Sequence, residues 1–368
     1  HDGDYATKRL LATVYTTIGV DEISPNHPVF VNFTYNLLKE RLPLAFPKEK
    51  LVIEILEDIE VTKEIIEVCD EFYKKGYRVA LDDFFFKKDV KELIDRSHII
   101  KLDFRTGSDQ IVKALQELRP YNKILLAEKV ETEEEFRFGL ELGFQLFQGY
   151  FFQRPAIIEG KEVSPIKTNI LLLISEIQKE SWNLERLEGF IMRDTSITYK
   201  LLKYINSAFF ARATKINSVR HALTLLGERE LKAFLSMIML SDLGAEKPSE
   251  LILESVIRAK FCEGIAGTLH LRQTESLFIV GLFSLLDAIL DVPMEEAIKG
   301  LPLERKIVDA LLGEKNLYWE ILELVRLYIA ANWAKITPLG QRLKVEEERL
   351  SEIYFASLLW ANALMEFY

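Results

Sequence analysis

Two adjacent carboxylates, Asp82 and Asp83, close the apolar run Arg78-Val79-Ala80-Leu81. Neighbouring side chains on a strand point to opposite faces. Two adjacent acids therefore serve one metal or one substrate only at a frayed strand end or in the loop beyond it. The same design recurs along the chain. Val29-Phe30-Val31 leads to Asn32, and Leu51-Val52-Ile53 leads to Glu54 with Glu57 beyond. Ile99-Ile100 leads to Lys101, Leu102 and Asp103, and Ile124-Leu125-Leu126-Ala127 leads to Glu128 with Glu131 beyond. Leu146-Phe147 leads to Gln148-Gly149-Tyr150. Each run ends in a polar residue able to bind a metal or a phosphate. A lone acid after a strand is ordinarily solvated loop, whereas a whole series in register points to a site.

The elements that position these groups follow from the pattern between them. Thr62 to Lys75 and Ser108 to Leu118 have helical periodicity. Strands alternating with helices imply βαβ units and a parallel sheet. When such units close into a barrel, functional groups gather at the C-terminal ends of the strands. Closure takes about eight strands, and fewer runs than that are visible, so an incomplete TIM-type (β/α) barrel is expected. Residues 7–18 look helical, and the alternating pattern runs to about Phe152. Pro155, Gly160 and Pro165 then mark a linker. Beyond it helical periodicity takes over, with Ile170, Leu173, Ile174 and Ile177 on one face. Further short helices are expected over Ser181 to Phe190, Ser196 to Ile205, Val219 to Leu226 and Glu230 to Leu240, with Gly227 and Gly244 as C-caps. The expected architecture is α/β plus all-α: a barrel domain over 1–155, a linker over 156–165 and an all-helical domain over 166–368.

Composition bounds the function. The 368 residues are 49% hydrophobic, enough for substantial cores, and carry a formal charge of −10. That balance argues against nucleic acid or an anionic membrane as a partner. Cys69 and Cys262 sit in apolar, helix-like surroundings and read as buried reduced thiols, fitting a cytoplasmic protein. The most apolar stretch, Leu277 to Leu290, contains Ser284 and Asp287 and reads as a buried core helix rather than a membrane span.

The first half resembles the EAL family of bacterial cyclic di-GMP phosphodiesterases. The resemblance is carried, in order, by Val31-Asn32-Phe33, Glu54-Ile55-Leu56-Glu57, Leu81-Asp82-Asp83-Phe84, Ile100-Lys101-Leu102-Asp103, Ala127-Glu128-Lys129-Val130-Glu131 and Gln148-Gly149-Tyr150. It implies a barrel that binds cyclic di-GMP across its C-terminal rim. By that match Asn32, Glu54 and Asp82 hold one Mg²⁺ or Mn²⁺ and Asp83 a second. Lys101 and Glu128 take the catalytic positions, with Lys101 orienting water or neutralising charge. Asp103, Glu131 and Gln148 contact ligand or support the site. Three departures favour a lapsed enzyme with weak metal affinity and no tightly bound cofactor. The glutamate of the motif that names the family is not among these residues. The loop after the paired aspartates, which in the family helps organise metals and a homodimer, is here Phe85-Phe86-Lys87-Lys88-Asp89. Lys129 stands at a glycine position and competes electrostatically with a metal.

Residues from about Ser164 onward resemble an HDOD domain, a helical output module related to the HD phosphohydrolases. The carrying stretches are Asp194 to Ala208 and Ile216 to Gly227. Ser284 and Leu285 stand where the hydrolases carry their histidine–aspartate pair, so no metal is expected in this half. His221 and His270 lack ligand spacing and read as capping or partly buried histidines. Phe209-Phe210 read as core first and partner surface second. The combination resembles the YuxH-type signalling proteins. It implies a non-catalytic regulator whose barrel senses cyclic di-GMP or acts as a scaffold and whose helical domain binds a protein partner. The alternative is an active Mg- or Mn-dependent cyclic di-GMP phosphodiesterase completed by residues upstream of His1. Burial of Phe85 and Phe86 is expected to couple the halves.

Overall fold

The computed structural model describes residue 24 and residues 27–57, 59–82, 91–149, 151, 163–179, 184–210 and 215–365. Residues 7–18, Asp83, Phe85, Phe86 and most of the expected linker lie outside them. The chain divides into two compact units, residues 1–154 and 155–368.

In the first unit every apolar run read from the sequence is a strand. These are β1 (Val29–Phe33), β2 (Leu51–Ile55), β3 (Arg78–Leu81), β4 (Ile99–Asp103), β5 (Ile124–Glu128) and β6 (Leu146–Phe147). They form a six-stranded parallel sheet in sequential order, an incomplete TIM-type barrel. Helices α1 (Tyr35–Lys39), α2 (Lys63–Lys74), α3 (Lys91–Asp95), α4 (Ser108–Leu118) and α5 (Glu133–Glu141) lie between the strands in sequence. Local chemistry sets their starts. Thr62 accepts a hydrogen bond from the Ile65 amide at the head of α2. Thr132 and Glu135 form a reciprocal capping box at the head of α5.

Alternation along the strands sorts the sheet into two faces. Leu51 and Ile53 of β2, Val79 and Leu81 of β3, and Ile100 and Leu102 of β4 join Ile65, Val68 and Phe72 of α2 in the main core. The opposite face carries a small apolar layer of Val52, Ala80, Ile99 and Leu126 with Phe30 against it. Two residues further along each strand, on that same inner face, stand Asn32, Glu54, Asp82, Lys101 and Glu128. The fold thus places an apolar floor beneath a polar layer at the strands' C-terminal ends.

The second unit is helical throughout its described residues. It comprises α6 (Pro165–Ile177), α7 (Leu184–Met192), α8 (Thr195–Ile205), α9 (Val219–Leu243), α10 (Ser249–Thr268), α11 (Thr274–Phe283), α12 (Leu286–Leu290), α13 (Met294–Ala297), α14 (Arg305–Leu311), α15 (Leu317–Ile329), α16 (Trp333–Leu343) and α17 (Glu347–Met365). Within α9, Gly227 at φ 76° and ψ 169° is non-helical and separates two helical arms, the two shorter helices read from the sequence. Gly244 caps the end of α9.

The stretch Leu277 to Leu290 differs from the single helix expected. It breaks between α11 and α12 at Ser284 and Leu285. The Ser284 hydroxyl donates to the Gly281 carbonyl at 2.7 Å, and such local back-bonding competes with the helical ladder. Gly281 also lets two backbones meet: a Cβ there would lie 2.4 Å from the Arg258 carbonyl oxygen of α10. Among the described residues no helix is long and apolar enough to cross a membrane.

Candidate functional site

Stagger between neighbouring strands assembles the polar layer into a site. Asn32 of β1 pairs with Glu54 of β2, but Glu54 pairs with Ala80 of β3, and Ala80 with Ile99 of β4. Lys101 of β4 then pairs with Leu126, and Asp103 with Glu128. A lysine at this place is long enough to reach backward to β2 and forward to the end of β5. Its ammonium lies 2.6 Å from Glu54 Oε1, 2.7 Å from Asp82 Oδ1 and 2.5 Å from Glu128 Oε1. Glu54, Lys101 and Glu128 are buried, and Asp82 is partly open at 19% side-chain exposure.

Three carboxylates share one ammonium, and the protonation chemistry follows from that imbalance. Burial alone would depress Lys101, but Glu54, Asp82 and Glu128 outweigh it and hold it above the usual lysine range. Burial pushes the Glu128 carboxyl up to about 7, with Lys101 opposing and the Asp82 charge adding to the rise. Glu54 is raised for the same reasons. Glu128 Oε2 is buried and has no hydrogen-bond partner among the described groups. An unpaired buried carboxylate oxygen is costly, which marks Glu128 as the strained member of the set.

A second cluster borders the first. Asp103 accepts from the Arg105 backbone amide at 2.8 Å, from Arg105 Nη2 at 2.7 Å and from Lys129 Nζ at 2.7 Å. Burial would raise Asp103, but Arg105 and then Lys129 hold it down at about 2. Lys129 follows Glu128 directly and adopts φ 55°, a left-handed conformation that suits glycine. The chain beyond it is clamped. Val130 donates to the Gln148 carbonyl at 3.0 Å, and Gln148 donates to the Ala127 carbonyl at 2.8 Å.

The clamp explains Gly149. Its φ is 152°, and a Cβ would sit 2.1 Å from the Val130 carbonyl oxygen. Gly149→Ala is expected to destabilise the first unit by about 1–3 kcal/mol, the usual cost of overpacking. Urea unfolding followed by hydrogen exchange at the β5 and β6 amides measures this. Unchanged protection there would contradict the close approach.

The structure brings together Glu54, Asp82, Lys101 and Glu128, with Asp103 beside them. Asn32 stands beside Glu54, its register partner across β1 and β2. Asn32 is exposed on β1 and Gln148 is exposed after β6. The Glu131 amide donates to Glu135 Oε2 at 2.6 Å, as part of the α5 cap. Asp83 lies outside the described residues. Arg105 was not singled out from the sequence; its spacing two residues after Asp103 was the available signal.

Carboxylate oxygens suit a hard divalent ion, yet Lys101 stands at the centre that these would share. Glu54, Asp82 and Glu128 converge on the point that the Lys101 ammonium holds. An Mg²⁺ or Mn²⁺ ion held here would share Glu54, Asp82 and Glu128 with the Lys101 ammonium.

In the second unit, Ser284 is buried and accepts from Arg258 Nη1 at 3.3 Å, while Leu285 is buried in the core. His221 and His270 are both exposed rather than partly buried. His221 lies in the first turn of α9, and His270 takes φ 54° just past α10. Phe210 packs edge-on against Tyr204 at 4.9 Å, whereas Phe209 is 44% exposed.

Comparison with known proteins gives two family matches, the EAL domain over residues 14–155 and the HDOD domain over residues 164–294. Over nearly its whole length the chain is similar to the uncharacterized protein YuxH of Bacillus subtilis (strain 168). The two are 39% identical over 374 residues, covering 99% of this chain and 91% of YuxH. It is 33% identical over 336 residues to the cyclic di-GMP phosphodiesterase CdgJ of Vibrio cholerae serotype O1, covering 90% of this chain and 78% of CdgJ. Among solved structures it matches the Bacillus subtilis YkuI protein, which has an EAL domain and is in complex with substrate c-di-GMP and calcium. That match has a TM-score of 0.31 and 17% identity and covers 57% of each chain.

Proposed function

We propose that this chain, which belongs to the EAL–HDOD signalling proteins related to cyclic di-GMP phosphodiesterases, is a cyclic di-GMP-responsive regulator. The half-barrel binds the dinucleotide at the C-terminal ends of its strands. The helical unit passes the response to a protein partner. One observation carries this reading: the Lys101 ammonium lies within 2.7 Å of Glu54, Asp82 and Glu128. The acid set is already neutralised in part by the protein's own cation.

A divalent ion supplies, when bound, a polarised phosphoryl oxygen and an acidified water. With Lys101 in place, an incoming ion meets an ammonium at the centre it would occupy, and like charges at such separations repel strongly in a buried setting. Support for an output role of the helical unit comes from Ser284 and Leu285, which leave no histidine–aspartate pair at that position. Further support comes from Met192, Tyr199 and Phe209, at 64%, 66% and 44% exposure, near the unit's first helices.

A second reading, an active phosphodiesterase, is favoured by the retained acids and by the name of the Vibrio relative. Calorimetry with cyclic di-GMP, with and without Mg²⁺, together with chromatography of the incubated nucleotide, separates the two. Saturable binding that needs no Mg²⁺, with the nucleotide recovered intact, is the expected result. Linear product that disappears in Asp82→Asn would establish the enzyme instead.

A further inference from the structure

The cationic edge of the site is built by a residue that departs from the family pattern. Lys129 carries its side chain on a left-handed backbone at φ 55°. For a residue with a Cβ this conformation is strained, and such strain clusters at ligand-binding positions. The Lys129 ammonium is 2.7 Å from Asp103 Oδ2, and Arg105 Nη2 is 2.7 Å from the same oxygen. The anchoring Asp103 side chain is only 8% exposed, while those of Lys129 and Arg105 are 38% and 60% exposed. Two cations are thus held by one buried carboxylate and reach toward solvent.

One residue before Lys129 stands Glu128, whose side chain is 6% exposed and whose Oε2 has no hydrogen-bond partner among the described groups. The rim therefore combines opposite signs. Three carboxylates with one ammonium lie on one side, and two cations with one carboxylate lie on the other. An anion seated at this rim is drawn to the cationic side and turned away from the acids.

We propose that Lys129, positioned with Arg105 on Asp103, is a ligand-binding residue of this chain that contacts a phosphodiester oxygen. It thereby supplies positive charge that the acid set, occupied by Lys101, does not provide. This rests on the reading that the half-barrel binds cyclic di-GMP. The strained backbone fits the role. Glycine would relax it but would bring no charge to the rim.

The test uses the full chain and two variants. Lys129→Asn keeps a residue that tolerates left-handed backbone and removes the charge. Lys129→Arg keeps the charge and is the rescue control. A thermal melt checks that each variant is folded. Calorimetric titrations with cyclic di-GMP are run at low and high salt, and inorganic pyrophosphate serves as a charge-only probe. Loss of one charged hydrogen bond predicts that Lys129→Asn binds cyclic di-GMP about tenfold or more weakly. Its salt dependence should be shallower, and Lys129→Arg should retain most of the affinity. Equal affinity of wild type and Lys129→Asn would overturn the inference and leave the cyclic di-GMP reading standing. No wild-type binding of cyclic di-GMP would overturn that reading. In that case, pyrophosphate binding that depends on Lys129 upholds the cationic rim, and its absence overturns the rim as well.

Discussion

Lys101→Met lowers the stability of the first unit by about 3–5 kcal/mol in metal-free buffer, the typical result of removing one partner from a buried ionic cluster. The reason is electrostatic rather than steric, since methionine fills nearly the same volume. Without the ammonium, Glu54, Asp82 and Glu128 face one another with no counter-charge, and Glu54 and Glu128 are buried. The same substitution vacates the centre the carboxylates share. Mg²⁺ or Mn²⁺ should then stabilise the variant far more than the wild type, by mass action of about 2.7 kcal/mol at a hundredfold excess over the dissociation constant. Hydrogen exchange at the β2, β4 and β5 amides reads this effect. All four tryptophans (Trp182, Trp319, Trp333 and Trp360) belong to the second unit. Tryptophan fluorescence therefore serves as an internal reference for the helical unit. A variant as stable as wild type, or one indifferent to Mg²⁺, would show that Lys101 is not the cation that holds the acids.

The strands were legible because each apolar run is short and ends at a polar residue, a pattern a buried parallel sheet imposes. The acid positions Glu54, Asp82 and Glu128 were legible for the same reason. Their geometry was not. Alternation shows that Glu54 shares a face with Val52, but the sequence does not contain the stagger that lets one lysine reach three carboxylates. Asn32 and Gln148 looked equivalent to those acids in linear order. Asn32 sits on β1, where the described sheet ends, and Gln148 contributes its backbone to the loop clamp, so the side chains of both remain exposed. Lys129 was visible as a departure, yet its pairing with Asp103 depends on a positive φ that no spacing rule predicts. In the helical unit, periodicity across Leu277 to Leu290 concealed the break at Ser284, because a hydroxyl bonding back to Gly281 leaves the apolar pattern intact. The expectations for Asp83, Phe85 and Phe86 fall outside the described residues.

The first unit should also lose stability as the pH rises from about 5 to 8. The Glu128 carboxyl is pushed from its ordinary 4.5 up to about 7, chiefly by burial. The folded state then binds a proton more tightly than the unfolded chain does. A carboxyl raised in this way contributes stability that is fully present below 4.5 and is lost as the pH climbs through 7. At 1.36 kcal/mol per pH unit the loss is at most about 3 kcal/mol. Glu54, raised for the same reasons, acts with the same sign. Asp103 works at the other end. Held at about 2 by Arg105 and Lys129 against an ordinary 3.8, it contributes stability above 3.8 that is lost as the pH falls toward 2. The two effects leave the half-barrel most stable at mildly acidic pH. Glu128→Gln keeps the shape and removes one of the two raised carboxyls, so its loss of stability between pH 5 and 8 should be smaller than that of the wild type, with Glu54 supplying the remainder. Urea titrations in EDTA at both pH values, read by hydrogen exchange at β4 and β5, make the comparison. A wild type equally stable at pH 5 and 8 would contradict the expected loss. A Glu128→Gln variant that loses as much as the wild type would show that the loss belongs to another group.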